Sequence, residues 1–176
     1  MLGHYLGREP IQVHFRSGRD GKPELASESE IDTVRFSLSH TQGTALYAFA
    51  RGREVGVDLE ELHPHPTDEQ IAQRYFSRGE NETLRNLPPG DRHRAFLRFW
   101  TRREAYLKAR GDGLTVLPRL ANLTLVPGVP VGLAGADEDS QQPPRWFLTE
   151  LDLGPAYIAT LVVEGQDCSL VCGQWP

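Results

Sequence analysis

Asp58, Glu60 and Glu104 are the residues whose types and spacing could do chemistry together. Asp58 and Glu60 alternate in the run GVDLE, which reads as a strand, so both carboxylates point one way while Val57 and Leu59 point the other. Glu104 lies in FWTRREAYLKARGDGL, residues 99–114, a helical pattern in which Lys108 follows four residues later, on the same side one turn on. Three convergent carboxylates make an oxygen-rich site suited to Mg²⁺, which favours carboxylate, water and phosphate oxygens. A D-x-E pair alone is also what a solvated strand end looks like. Its combination with the glutamate-lysine helix is more specific.

The helix that must position Glu104 can be drawn by turning each residue roughly 100° about the axis. Phe96, Phe99, Trp100, Tyr106 and Leu107 then share one arc facing a core, with Glu104 and Lys108 just beside it. Arg103 falls within the arc, and a buried cation there requires an anionic partner: a carboxylate from elsewhere in the fold or a bound phosphate. Gly111 is the expected helix stop, and Gly113 leaves the backbone free to approach a ligand. Between positions 92 and 110 the chain carries Arg92, Arg94, Arg98, Arg102, Arg103, Lys108 and Arg110 against the single acid Glu104. That imbalance fits either a solvated face or a local field for an anionic ligand or an acidic partner.

Around these residues the chain reads strands, helices, strands. Residues 1–9 resemble the tail of a helix. Ile11, Val13 and Phe15 alternate as a half-buried strand, residues 17–25 form a turn rich in glycine and charge, and VRFSLSH places Val34, Phe36 and Leu38 on one face. TALYAFA and REVGVDLE are two more strands, which Arg51-Gly52 separates in the manner of a hairpin. Thr67 is the expected N-cap of a helix through DEQIAQRYF, a second helix lies near residues 80–87, and Pro88-Pro89-Gly90 precedes the long central one. ANLTLV, RWFLTEL, YIATLVV and SLVCGQW then read as strands, with a flexible connection over residues 126–145. The order predicts an α+β fold in two unequal halves with a boundary near residues 61–67.

With 176 residues, 39% apolar and 24% charged, the chain has the composition of an ordinary globular protein. The net charge of -5 argues against general nucleic-acid binding, and no run of about 18 apolar residues or signal-peptide pattern suggests a membrane or secretion. The expected compartment is therefore the cytoplasm. Cys168 and Cys172 sit four apart in an expected strand, too far along it to bridge each other, and read as reduced thiols. Ser39-His40 ends its strand on polar residues where a core strand would continue apolar, and Lys22 sits in a Gly-Lys-Pro turn.

GKP at 21–23, FSLSH at 36–40, GVDLE at 56–60, RYFS at 74–77 and WTRREAYLKARGDGL at 100–114 occur in an order and spacing that covers most of the chain. Together they resemble the 4'-phosphopantetheinyl transferases of the monomeric pseudodimer type, which activate carrier proteins of fatty-acid, polyketide and nonribosomal-peptide synthesis. The resemblance implies two similar α+β halves related by a pseudo-twofold, here 1–62 (partial) and 63–176, with coenzyme A between them. It implies that Asp58, Glu60 and Glu104 hold Mg²⁺ against the pyrophosphate, and that Glu104 is also a candidate base for the carrier's serine. It places Lys108 near the phosphates as the second catalytic candidate, and Lys22, Ser39 and His40 on the phosphates of the nucleotide. Arg103 falls in the same pocket, where the family more often has lysine. Members usually carry a further N-terminal stretch before the segment matching Met1, with basic residues for the 3'-phosphate, so the first half is expected to be truncated. The implied reaction transfers phosphopantetheine from coenzyme A to an apo acyl or peptidyl carrier protein and releases 3',5'-ADP. The alternative is a catalytically weak module that binds coenzyme A or the carrier.

Overall fold

The computed structural model describes residues 1–26, 34–63, 68–120, 146–165 and 168–175. Helix α1 (Leu2–Leu6) ends at Gly7, whose φ of 63° closes the turn. Pro10 then opens a 3-10 turn at Pro10–Gln12, and two short strands, β1 (Phe15–Ser17) and β2 (Pro23–Leu25), pair as an antiparallel hairpin. The strand expected through Ile11, Val13 and Phe15 is therefore not formed. Proline fixes a helical φ at the first turn position, and Ile11 and Phe15 are exposed rather than half-buried.

Strands β3 (Val34–Thr41) and β4 (Thr44–Arg51) form a second antiparallel pair, with Phe36 opposite Phe49 and Gly43 at φ 75° in the turn. Strand β5 (Val55–Glu61) does not pair with β4 as a hairpin, although Gly52 turns the chain at φ 65°. Its partner is β7 (Tyr157–Glu164), which is flanked on its other edge by β6 (Trp146–Leu151). The first five residues of β5 are all buried, so the strand is covered on both faces. β5, which precedes the expected boundary, thus shares a sheet with strands that follow it.

Three helices follow: α2 (Asp68–Tyr75), α3 (Arg78–Asn86) and α4 (Pro89–Arg110). Ser77 and Glu80 make a reciprocal capping box at the start of α3. Pro89 enters α4 at a first-turn position where proline is tolerated, and Gly111 ends it at φ 71°. The core lies where α4 crosses the β5-β7-β6 sheet: Ala105, Tyr106, Leu107 and Ala109 pack with Trp146, Leu148 and Val162. At the other end Ala72 of α2 and the following Phe76 pack with Phe96 and Leu97 of α4. Residues 169–175, expected as a strand, have no regular structure, and Leu170, Val171 and Trp175 are exposed. The expected N-cap Thr67, the strand ANLTLV and the connection over 126–145 lie outside the described residues. Among the described residues, no helix is long and apolar enough to cross a membrane.

Candidate active site

Strand alternation and a missing side chain bring the acids together. Gly56, Asp58 and Glu60 occupy one face of β5, and that face carries α4. A Cβ on Gly56 would stand 2.0 Å from the Ala105 carbonyl oxygen and 2.3 Å from the Ala109 amide nitrogen, so only glycine lets the helix lie this close. One residue pair along, Thr160 of β7 sits opposite Asp58, and its hydroxyl bonds that of Thr101 on α4 at 3.0 Å. Thr101, Ala105 and Ala109 thus form a buried stripe of small residues. Glu104 and Lys108 lie between that stripe and the aromatic arc, each half-buried over the carboxylates of β5.

The result is a cleft of about 380 Å³ lined by Asp58, Glu60, Glu104, Lys108, Ser39 and His40, with Leu38, Trp100 and Leu114 as apolar walls. β3 reaches it through two buried serines. The Ser37 hydroxyl accepts the Val57 amide at 3.1 Å, and Ser39 donates to Asp58 Oδ1 at 3.0 Å. Lys108 Nζ donates to the same Asp58 oxygen at 2.6 Å and to Ser39 Oγ at 3.1 Å. His40 is exposed at the rim.

One ammonium does not neutralise three carboxylates. Burial, reinforced by Asp58, pushes the Glu60 carboxyl up to about 7, against the lowering effect of Lys108 and of a hydrogen bond from Trp100. Glu104 is pushed up to about 7 by burial and then by Asp58, with Glu60 adding to the rise and Lys108 opposing it. Two buried oxygens, Asp58 Oδ2 and Glu104 Oε1, have no hydrogen-bond partner among the described residues. A solvated strand end would leave neither. Orphaned carboxylate oxygens and self-repelling acids are the donor set a divalent cation satisfies. Among the described residues no three His, Cys, Asp or Glu side chains are grouped as a ready-made metal site; Mg²⁺ needs fewer, since one or two carboxylates with water and substrate phosphates complete its shell.

Arg103 lies elsewhere, which corrects its assignment to the ligand pocket. Its guanidinium is fully buried on the far side of α4 and makes a bidentate pair with Glu80, at 2.8 and 2.5 Å, over the ring of Phe76. The expected anionic partner is a carboxylate from α3. Lys22 also lies outside the acidic cleft: it borders a neighbouring cleft of about 300 Å³ that shares Lys108 and Leu38 with the first. Its ammonium donates to Glu54, the Val55 carbonyl and the Ala109 carbonyl. Gly113, expected to approach a ligand, faces the side chain of Asp20 instead.

Sequence reasoning missed Trp100, Leu114 and Gly56 as site residues. Trp100 falls in the core arc, yet that arc borders Glu104, and the indole both bonds Glu60 and lines the cleft. Gly56 left a signal in its pairing with Ala105 and Ala109, one turn apart on α4.

Fold and site together define an α+β protein with an acid-lined, lysine-bearing cleft. The family model of the 4'-phosphopantetheinyl transferase superfamily matches residues 54–162, which includes β5, all of α4 and most of β7. The chain belongs to that superfamily. It is 40% identical over 165 residues to the 4'-phosphopantetheinyl transferase HetI of Nostoc sp., covering 94% of this chain and 66% of that protein. A putative 4'-phosphopantetheinyl transferase of Synechocystis sp. is 34% identical over 65% of this chain and 46% of its own length. AcpT of Escherichia coli, also a 4'-phosphopantetheinyl transferase, is 32% identical over 63% of this chain and 54% of its own length. These matches span about half to two thirds of the length of the curated relatives.

Proposed function

We propose that this protein transfers the 4'-phosphopantetheine group of coenzyme A to a serine of an apo acyl or peptidyl carrier protein, releasing 3',5'-ADP. The observation that carries the reading is the convergence of Asp58, Glu60, Glu104 and Lys108 in one cleft, with buried carboxylate oxygens left unpaired. The family membership and the names of the relatives support the chemistry. Mg²⁺ is the cation these oxygens suit: Asp58, Glu60 and Glu104 would hold it, and when bound it would neutralise charge on the diphosphate.

In the reaction the serine hydroxyl attacks the β-phosphorus of coenzyme A. A phosphoester bond forms, the bond from that phosphorus to the bridging oxygen breaks, and 3',5'-ADP leaves with the electron pair. Lys108 has two of its hydrogens on Asp58 and Ser39, which aims the ammonium and leaves the third for a phosphate oxygen. Ser39 and His40 extend the polar rim towards the nucleotide. Glu104 takes the serine proton, directly or through a water that it orients. Trp100, Leu38 and Leu114 give the pantetheine arm an apolar wall. The protein acts as a monomer in the cytoplasm.

Intact-mass measurement of several apo-carrier proteins incubated with the protein, coenzyme A and Mg²⁺ tests the reading. A gain of one phosphopantetheine on the carrier serine is expected. No gain on any carrier would overturn it.

A further inference from the structure

The β1–β2 loop makes contacts with α4 that the reaction does not use. Lys22 is largely buried, and each of its three ammonium hydrogens has an oxygen within reach: Glu54 Oε2 at 3.1 Å, the Val55 carbonyl at 3.3 Å and the Ala109 carbonyl at 3.2 Å. The last of these is one of the carbonyls that the end of α4 leaves open. Gly111 and Asp112 amides cap Lys108 and Leu107, and Lys22 supplies the donor for Ala109 together with a positive charge at the helix C-terminus. Two residues earlier, Asp20 accepts the Gly113 amide at 2.9 Å. Asp20 is the one non-glycine residue with a positive φ, 48°, among the described residues, a conformation that persists where its surroundings hold it.

We propose that the β1–β2 loop is a clamp on the C-terminal end of α4, in which Lys22 and Asp20 are positioning residues and Lys22 does not contact the donor's phosphates. The clamp fixes the turn from Gly111 to Leu114, which walls both clefts, and with it the last turn of the helix that carries Lys108. The catalytic consequence rests on the transferase reading; the clamp itself does not. A lysine that grips phosphate needs hydrogens to give, and all three of these are engaged by protein oxygens.

Hydrogen exchange on the ligand-free protein tests the clamp directly, in wild type, Asp20→Ala, Lys22→Met and Lys22→Arg. Peptides covering residues 109–114 are expected to exchange at least about fivefold faster in all three variants, with β7 unchanged. Arginine fails beside methionine because a planar fork cannot serve three acceptors grouped around one point. Transfer kinetics then separate positioning from contact: in both Lys22 variants kcat falls about tenfold while KM for coenzyme A changes less than about threefold. The proposal is overturned if exchange at 109–114 stays as in wild type, or if Lys22→Arg keeps wild-type coenzyme A affinity while Lys22→Met loses it. If wild type neither binds coenzyme A nor transfers, the transferase reading fails and the exchange result still decides the clamp.

Discussion

Removing Glu80 should damage the fold more than removing any exposed acid, and the structure sets the scale. Glu80 holds both arms of the fully buried Arg103 guanidinium and accepts hydrogen bonds from the Ser77 amide and hydroxyl at the start of α3. Glu80→Ala leaves a cation with no carboxylate in a wall of Phe76 and Phe99, and breaking a buried pair in this way costs roughly 3–5 kcal/mol. Loss of part of the capping box adds about 1 kcal/mol. For a chain of this size each kcal/mol moves Tm by about 2–4 °C, so a fall of roughly 10–20 °C is expected. Glu80→Gln with Arg103→Met removes both charges while glutamine still caps α3, and should recover most of the loss. Urea unfolding of Glu80→Gln, Arg103→Met and the double variant, with m-values compared, gives a coupling energy expected to exceed about 2 kcal/mol. A Glu80→Ala cost below about 1 kcal/mol, or single effects that simply add, would refute the claim that this pair fixes α4 against α3.

Gly56→Ala should push α4 off β5, costing about 1–3 kcal/mol in urea unfolding and about a hundredfold in transfer rate, since the added carbon meets helix backbone rather than a flexible side chain. Asp58→Ala and Glu104→Ala should each lower transfer by at least about a hundredfold, and Glu104→Ala should change unfolding free energy by less than about 1 kcal/mol because it removes a self-repelling, part-orphaned acid. Glu60 and Glu104 keep their protons in the folded protein up to about pH 7, whereas the unfolded chain releases them near 4.5. Between those values the folded state binds more protons, so metal-free stability should fall as pH rises and level off above 7, by about 2 kcal/mol after allowing for solvent screening. Thermal melts across that range should show the fall, Mg²⁺ should offset it most above pH 7, and Glu60→Gln with Glu104→Gln should flatten it.

Much of this site could be read before the fold was known, because its signals are local. The alternation of Asp58 and Glu60, the one-turn spacing of Glu104 and Lys108, and the stop at Gly111 each depend on a few neighbouring residues. The need for an anion beside Arg103 was equally legible from its place in an apolar arc. Its identity was not, since Glu80 looks like an ordinary capping residue and lies on another helix. The errors fall where distant contacts override local pattern. Gly52 makes a turn, yet β5 pairs with β7 about a hundred residues on, while β4 packs Leu46, Ala48 and Ala50 onto the cluster of Val55, Val57 and Leu161 instead of bonding to the edge of β5. Residues 169–175 alternate like a strand but add to no sheet edge. Lys22 reads as a free turn lysine until the end of α4 is brought against it.

The most direct test of the account is the anomalous signal of Mn²⁺ in crystals of the protein soaked with coenzyme A, Mn²⁺ standing in for Mg²⁺. A single peak among the carboxylates of Asp58, Glu60 and Glu104, with the diphosphate against Lys108, is the expected result. A bound diphosphate whose metal peak lies away from these three acids would contradict it.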